Sequence, residues 1–361
     1  MNQPINGAGR ASNDISILKC PVCGGRFDAN GPQSLTCPQG HAFDMAKQGY
    51  FNLTIRPAHS HYDKELFAAR RSIITESRLY APLHETIARM IANRAGNPAS
   101  GGLVVDMGCG EGSHLQKILH GLGPSGWIGL GVDLSKEGIR LAARQYADGL
   151  WVVSDLAHAP LQDQSAQVVL NLLSPANYRE FKRILAPEGV LVKVVPGADY
   201  LRELRETLHG DSNKREYSNA NIVTLFRQHF SKMEVVHLKY RQWLDTEALR
   251  DLVRMSPLAW SAEQAKSRRL RIGMARKSPW TWICCWVGRT RLARRQIRIA
   301  LSFTRLKILY GWEQAYDRDI GEHCGDFGGQ RAGKHFQERA EGKVSDRAVY
   351  RDRLGRYAAG D

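Results

Sequence analysis

A chain of 361 residues is longer than one hydrophobic core usually organises, since cores stop growing at about 250 to 300 residues, so more than one domain is predicted. With 43% hydrophobic and 24% charged residues and no run of about 18 apolar residues, the composition excludes an integral membrane protein and a membrane partner. The first 15 residues have no charged and apolar signal regions, which predicts a cytoplasmic protein. The net charge of +15 favours a polyanionic partner, although residues 276–361, with 18 basic and 10 acidic side chains, hold about half of it.

Residues 1–17 carry no periodic pattern and are expected to be disordered. Residues 18–56 are short apolar pieces between Cys, Gly and Pro, the composition of a small module that needs a staple. Cys20-Pro-Val-Cys23 and, thirteen residues on, Cys37-Pro-Gln-Gly-His41 give a C-x2-C, C-x3-H pair of knuckles. Four such ligands close a tetrahedron around zinc and leave no position open for chemistry, so a structural Zn2+ is expected. Seven cysteines, an odd number without an export signal, argue against a disulfide framework. Lys47 and Arg56, with Lys64, Arg70 and Arg71 beyond the module, are candidate phosphate contacts; Phe43, Tyr50 and Phe51 are candidates for base stacking or a small core.

In residues 57–100, Leu66, Ala69, Ile73 and Ile74, then Leu83, Ile87, Met90 and Ile91 after Pro82, recur at helical spacing and predict two linking helices. From 101 to 275, strand-like runs (LVVDMG, WIGLGVDLS, LWVVSDL, AQVVLNLL, GVLVKVV) alternate with helical ones. That alternation predicts an α/β domain with a Rossmann-like parallel sheet covered on both faces. Helices around LRELRETL, NIVTLFRQHF and TEALRDLVRM and a strand around MEVVHLKYRQW continue it.

The first strand runs into Asp106-Met-Gly108-Cys-Gly110-Glu111-Gly112-Ser113, an acid followed by a glycine turn that opens a helix. Glycines let backbone approach a ligand at the carboxyl end of the strand. Asp133, ending the next strand, is placed to accept from a ribose diol, and Asp155, after the third, lies where an adenine would be. Nicotinamide-cofactor folds share the second acid. The acid before the glycines and the loop NLLSPANY favour S-adenosylmethionine. Asn171, expected with Asp106, Gly108, Gly110 and Glu111 among the cofactor contacts, is together with Ser174 and Asn177 in that loop a candidate to meet a base edge or to shape the loop. No general base is identified.

The runs CPVCGG, LTCPQGHAFDMAKQGYFNL, YDKELFAARR, LYAPL, VVDMGCGEGSHL, GVDLSKEGIRLAA, LLSPANYREFKRIL, VVPGADYLREL and MSPLAW, between about 18 and 260, closely resemble the 23S rRNA guanine-N1 methyltransferases that modify a guanine in hairpin 35. The resemblance implies zinc held by Cys20, Cys23, Cys37 and His41 in a module that helps grip RNA. It also implies S-adenosylmethionine contacts at Tyr80, at the Gly112-Ser113 turn and at Tyr200. Guanine N1 carries a proton that must leave as the methyl arrives, so rate rests on positioning and a local acceptor; a paired guanine hides N1, so the base must be looped or extruded. A small-molecule or antibiotic methyltransferase and an RNA-binding protein with an inactive core are the competing functions, and a homodimer is an open alternative to a single chain.

Beyond about 276 the composition changes: four of the eight Trp fall between 280 and 312 and Arg becomes dense. Joining the third base of each codon to the first two of the next, KSPWTWICCWVG can read I-T-V-D-L-D-(L/M)-L-L-G, an alternating strand that the written string is not. The expectation is a single-base frameshift between about Trp260 and Lys277. The sheet would then lack its true last strand, and 289–361 would have no evolved core. A genuine basic extension is the alternative.

Overall fold

The computed structural model describes residues 15–28, 33–56, 62–95, 102–124, 126–202, 204, 218–230 and 232–256, together with the backbone of 278–288. The helix expected around LRELRETL lies almost wholly outside them, as do residues 1–14. The expected disorder ends sooner than residue 17, because Ile15–Ile17 form a 3-10 turn with Ile15 buried.

The zinc module contains a short hairpin, β1 (Ser34–Thr36) and β2 (Ala42–Asp44), and a third strand, β3 (Tyr50–Asn52). The two linking helices follow as α1 (Lys64–Thr75) and α2 (Ala81–Ala95). Asp63 caps α1 by accepting from the Leu66 amide at 2.7 Å, satisfying one of the donors a helix start leaves open. Then come β4 (Gly102–Met107), α3 (Ser113–Leu122), β5 (Trp127–Asp133), α4 (Lys136–Gln145), β6 (Leu150–Val153), β7 (Ala166–Leu172), α5 (Tyr178–Ile184) and β8 (Leu185–Pro196). After them lie α6 (Ala220–His229), β9 (Glu234–Gln242), α7 (Thr246–Met255) and β10 (Ser278–Gly288).

Eight strands form one sheet in the order β3-β6-β5-β4-β7-β8-β10-β9. Strands β3 to β8 run parallel to one another, and β10 is antiparallel to both β8 and β9. The zinc module is thus built into the sheet rather than strung beside it: Phe51 of β3 pairs with Val152 of β6. Leu18, Phe27, Leu35 and Phe51 share a core with Val105, Val132 and Phe181 on one face. On the other face Ile73, Leu83, Leu115 and Ile139, from α1 to α4, pack on Val104, Val168 and Val192. With both faces covered, every residue of β4 is buried, as parallel strands require.

The expected gap at the end of the sheet is filled. Residues 278–288, as written, form the strand between β8 and β9, with Ile283 level with Val195 and His237. The sheet therefore continues past residue 275.

Candidate active site and metal centre

The two knuckles close on one another. The Gly24 amide donates to the Cys20 carbonyl and the Gly40 amide to the Cys37 carbonyl, each at 2.8 Å. These turns bring the ligand atoms of Cys20, Cys23, Cys37 and His41 within 4.8 Å of one another. Cys23 Sγ to Cys37 Sγ is 3.6 Å, Cys20 Sγ to His41 Nδ1 3.7 Å and Cys37 Sγ to His41 Nδ1 3.4 Å. A tetrahedral zinc with bonds of about 2.3 Å to sulfur sets sulfurs about 3.8 Å apart, so the donor set fits the ion. Burial opposes ionisation of Cys37, yet the amides of His41 and Gln39 outweigh it and lower its pKa to about 6. The Gly25 amide favours a Cys23 thiolate, but burial and the neighbouring thiols push that group up. A divalent cation resolves this crowding by taking all three as thiolates.

The second site forms where β4 lies between β5 and β7, the switch point at which open α/β sheets bind ligands. At Gly108, φ +92°, a Cβ would meet Ser174 Oγ at 1.9 Å; at Gly112, φ +79°, it would meet the Trp151 ring at 2.3 Å. Only glycine lets the turn run between these two walls. The turn is braced by Asp133, whose Oδ2 accepts from the Gly110 amide and Oδ1 from the Ser135 amide, both at 2.8 Å. Each carboxylate oxygen has a second lone pair that these bonds leave, so a ribose diol can still be met there.

Asp106 and Glu111 are buried at 1% exposure. Among the described residues Asp106 Oδ1 and Glu111 Oε1 have no hydrogen-bond partner, an expensive state for a buried acceptor. Arg70, from α1, pairs with Glu111 through Nη1 and Oε2. Burial pushes the Asp106 carboxyl up to about 7; Arg70 pulls against this rise, while Asp133 and Glu111 add to it. One guanidinium thus faces three carboxylates. That surplus suits a ligand carrying positive charge, as the sulfonium and ammonium of S-adenosylmethionine do, and repels the diphosphate of a nicotinamide dinucleotide.

Tyr80 lies fully buried beside the turn, with Tyr200 near enough to favour its ionised form. Two tyrosines distant in the chain are thereby brought together, and burial raises Tyr80 to about 12. Behind them His84 Nε2 and His114 Nδ1 are 2.8 Å apart, with the His114 ring edge-on to Tyr80 at 4.8 Å. Burial lowers His84 to about 3, aided by Lys117 and Arg70, so the pair is neutral.

The remaining candidates have hydrogen bonds or packing contacts of their own, or stand exposed. Ser113 turns its hydroxyl to Tyr146 at 3.0 Å. Asp155 caps a 3-10 turn by accepting from Ala157 at 2.9 Å and stands half exposed. Asn171 is fully buried, its Nδ2 donating to the Met107 and Pro175 carbonyls at 2.7 and 3.0 Å and its Oδ1 accepting from Lys193. Within the chain its amide therefore ties the loop to β4 and β8. Asn177 caps α5 through the Glu180 amide at 3.1 Å, leaving Ser174 as the loop side chain against the glycine turn. Tyr50 and Phe51 are core, and Phe43 packs edge-on to Phe27. Arg70 serves Glu111 rather than a phosphate, whereas Lys47, Arg56 and Lys64 are exposed. The sequence reading missed Lys193 and the histidine pair; their signals were a lone Lys in an apolar strand run and a His on the apolar face of α2.

Fold and site define a methyltransferase of the S-adenosylmethionine-dependent class with a zinc ribbon at its N-terminal end. A methyltransferase-domain family matches residues 104–189, and the zinc-ribbon family described as "RlmA, N-terminal" matches residues 18–60. The 23S rRNA (guanine(748)-N(1))-methyltransferase of Streptomyces fradiae is 35% identical over 249 residues, 69% of this chain and 87% of that protein. A Bacillus subtilis protein, provisionally named 23S rRNA (guanine-N(1)-)-methyltransferase, is 42% identical over 262 residues, 72% of this chain and 92% of its own length. The chain belongs to the 23S rRNA (guanine-N1)-methyltransferase family.

Proposed function

We propose that this protein methylates N1 of a guanine in the hairpin 35 region of 23S rRNA, in the cytoplasm, using S-adenosylmethionine. The observation that carries the reading is the joining, in one sheet, of a Cys3His cluster to an acid-rich glycine turn: β3 of the zinc module pairs with β6, next to the strand that ends in Asp133. S-adenosylmethionine supplies an electrophilic methyl group when bound. Asp106 and Glu111 would face its positive charge, Asp133 its ribose and Tyr80 and Tyr200 its methionine end, with Asp155 nearer the adenine. Arg70 offsets the mutual repulsion of the turn's carboxylates. Cys20, Cys23, Cys37 and His41 would hold a zinc that keeps the ribbon rigid, and exposed Lys47, Arg56 and Lys64 offer positive charge to the RNA backbone.

The chain's own task is then to seat an unpaired guanine between the loop after β7 and the glycine turn, so that N1 approaches in line while its proton leaves. Incubation of the zinc-loaded protein with 23S rRNA and methyl-labelled S-adenosylmethionine, followed by mass mapping of the RNA, tests this. One methyl on a guanine base, blocking its pairing edge, is expected. Labelling of a small molecule with none in the RNA would overturn the reading. No helix among the described residues is long and apolar enough to cross a membrane.

A further inference from the structure

Strand β8 reads Leu191-Val192-Lys193-Val194-Val195, and all five residues are buried, Lys193 at 5% exposure. A lysine at the centre of such a run breaks the local pattern and carries the cost of burying an ammonium. A sheet that needed only cohesion would carry another aliphatic side chain there, and departures of this kind cluster where function demands them.

Its partners show what the ammonium does. Lys193 Nζ donates to Asn171 Oδ1 and, at 2.5 Å, to the Ser174 carbonyl, while Asn171 passes the connection on to Met107 and Pro175. One ammonium and one carboxamide thus tie together the carboxyl ends of three adjacent strands, β4, β7 and β8. Inside this tie the chain is strained: Leu173 has φ +57°, a left-handed conformation unfavourable for a branched side chain. Its amide still reaches the Val194 carbonyl at 3.1 Å. The turn so held presses Ser174 against Gly108, close enough that even a methyl on Gly108 would collide with it.

We propose that Lys193 is a positioning residue for methyl transfer: it holds the Leu173–Pro175 turn in its strained form, so that Ser174 and the glycine turn make a fixed seat for the target guanine. The inference rests on the function proposed above and adds the device that sets the base against the methyl group. With Asp133 at the ribose as proposed, cofactor would lie on the β4–β5 side of the switch point, leaving the β7 side, where this turn lies, for the acceptor. Misplacement by about 1 Å costs about a hundredfold in rate, so a relaxed turn slows turnover without loosening the cofactor.

Lys193→Met tests it, because methionine fills similar space without a charge. With wild-type protein methylating the 23S rRNA fragment, kcat should fall roughly ten- to hundredfold while calorimetric affinity for S-adenosylmethionine stays within about threefold. Adding Leu173→Gly, which adopts positive φ without strain, should recover at least part of kcat. Hydrogen exchange in the peptide 171–178, read without any RNA, should rise in Lys193→Met. Unchanged exchange, or full turnover in Lys193→Met, would overturn the proposal. So would a loss of kcat that Leu173→Gly leaves untouched, since that would mean the ammonium acts on the base directly. A wild-type protein that leaves RNA unmethylated would instead sink the functional reading, with the exchange measurement still judging the tie.

Discussion

Arg70, on the helix that follows the zinc module, ends on the carboxylate of Glu111 inside the glycine turn. Both side chains are largely withdrawn from water, at 16% and 1% exposure, and removing one partner of such a pair typically costs about 3 to 5 kcal/mol because the other charge stays buried. Arg70→Met should therefore destabilise strongly in urea. The double variant Arg70→Met, Glu111→Gln should regain much of the loss, and a double-mutant cycle would show coupling. Additive losses would contradict a direct pair.

Cys37→Ser should lose one equivalent of zinc, since binding energy and folding energy are the same quantity in such a small unit. Because β3 pairs with β6, amide exchange at residues 150–153 should also rise. RNA binding should weaken more than cofactor binding. Stoichiometric zinc retained in the variant would refute the ligand assignment.

Asp106 gives a pH dependence with a definite sign. Its pKa in the folded, ligand-free protein is raised to about 7, from about 3.9 in an unfolded chain. A raised carboxyl contributes stability that is complete below pH about 4 and is lost as pH rises through 7. A cationic ligand prefers the ionised form, so affinity for S-adenosylmethionine should climb with pH up to about 7 and level off above it, with proton release on binding. Calorimetry in buffers of different ionisation enthalpy measures that release, and Asp106→Asn should abolish it.

Asp133→Ala removes a charge-assisted acceptor together with the brace on Gly110. A loss of about 1.5 to 3 kcal/mol in cofactor binding is expected, roughly ten- to hundredfold. Unchanged affinity would exclude a ribose contact at this position.

Much of the parallel sheet was legible before the structure, because the apolar runs at 103, 128, 151, 168 and 190 are long and their punctuation is clear. The zinc ligands were legible for the same reason that they fit: their spacing encodes the turns. Strand β3 was not, since three residues carry no period and the strand exists only through β6. Arg70 read as a candidate phosphate contact, and its pairing with Glu111 emerges only once α1 folds back over the turn. The commitment of Asn171 to Met107, Pro175 and Lys193 depends on three strands meeting, which no local pattern records.

The end of the chain carries a prediction about the gene. Residues 278–288, as written, already form the strand that the shifted reading was expected to supply, so the frameshift rests on the codon coincidence alone, and its test is a one-base change between codons 260 and 277 on resequencing. An intact frame there, with a protease-resistant segment beyond residue 288, would refute the frameshift.

The position of β10, last of the described strands in sequence yet between β8 and β9, governs how the protein is born. When β9 leaves the ribosome its place beside β8 must stay open until residues 243 to 288 have been added, which takes ~2 to 9 s at ~5 to 20 residues per second. During that interval two strands present unpaired edges, the condition under which nascent chains aggregate. Completion of the described sheet thus waits on β10, and a chain released before residue 278 would keep its zinc knuckles and glycine turn beside a sheet in which β8 and β9 have no strand between them.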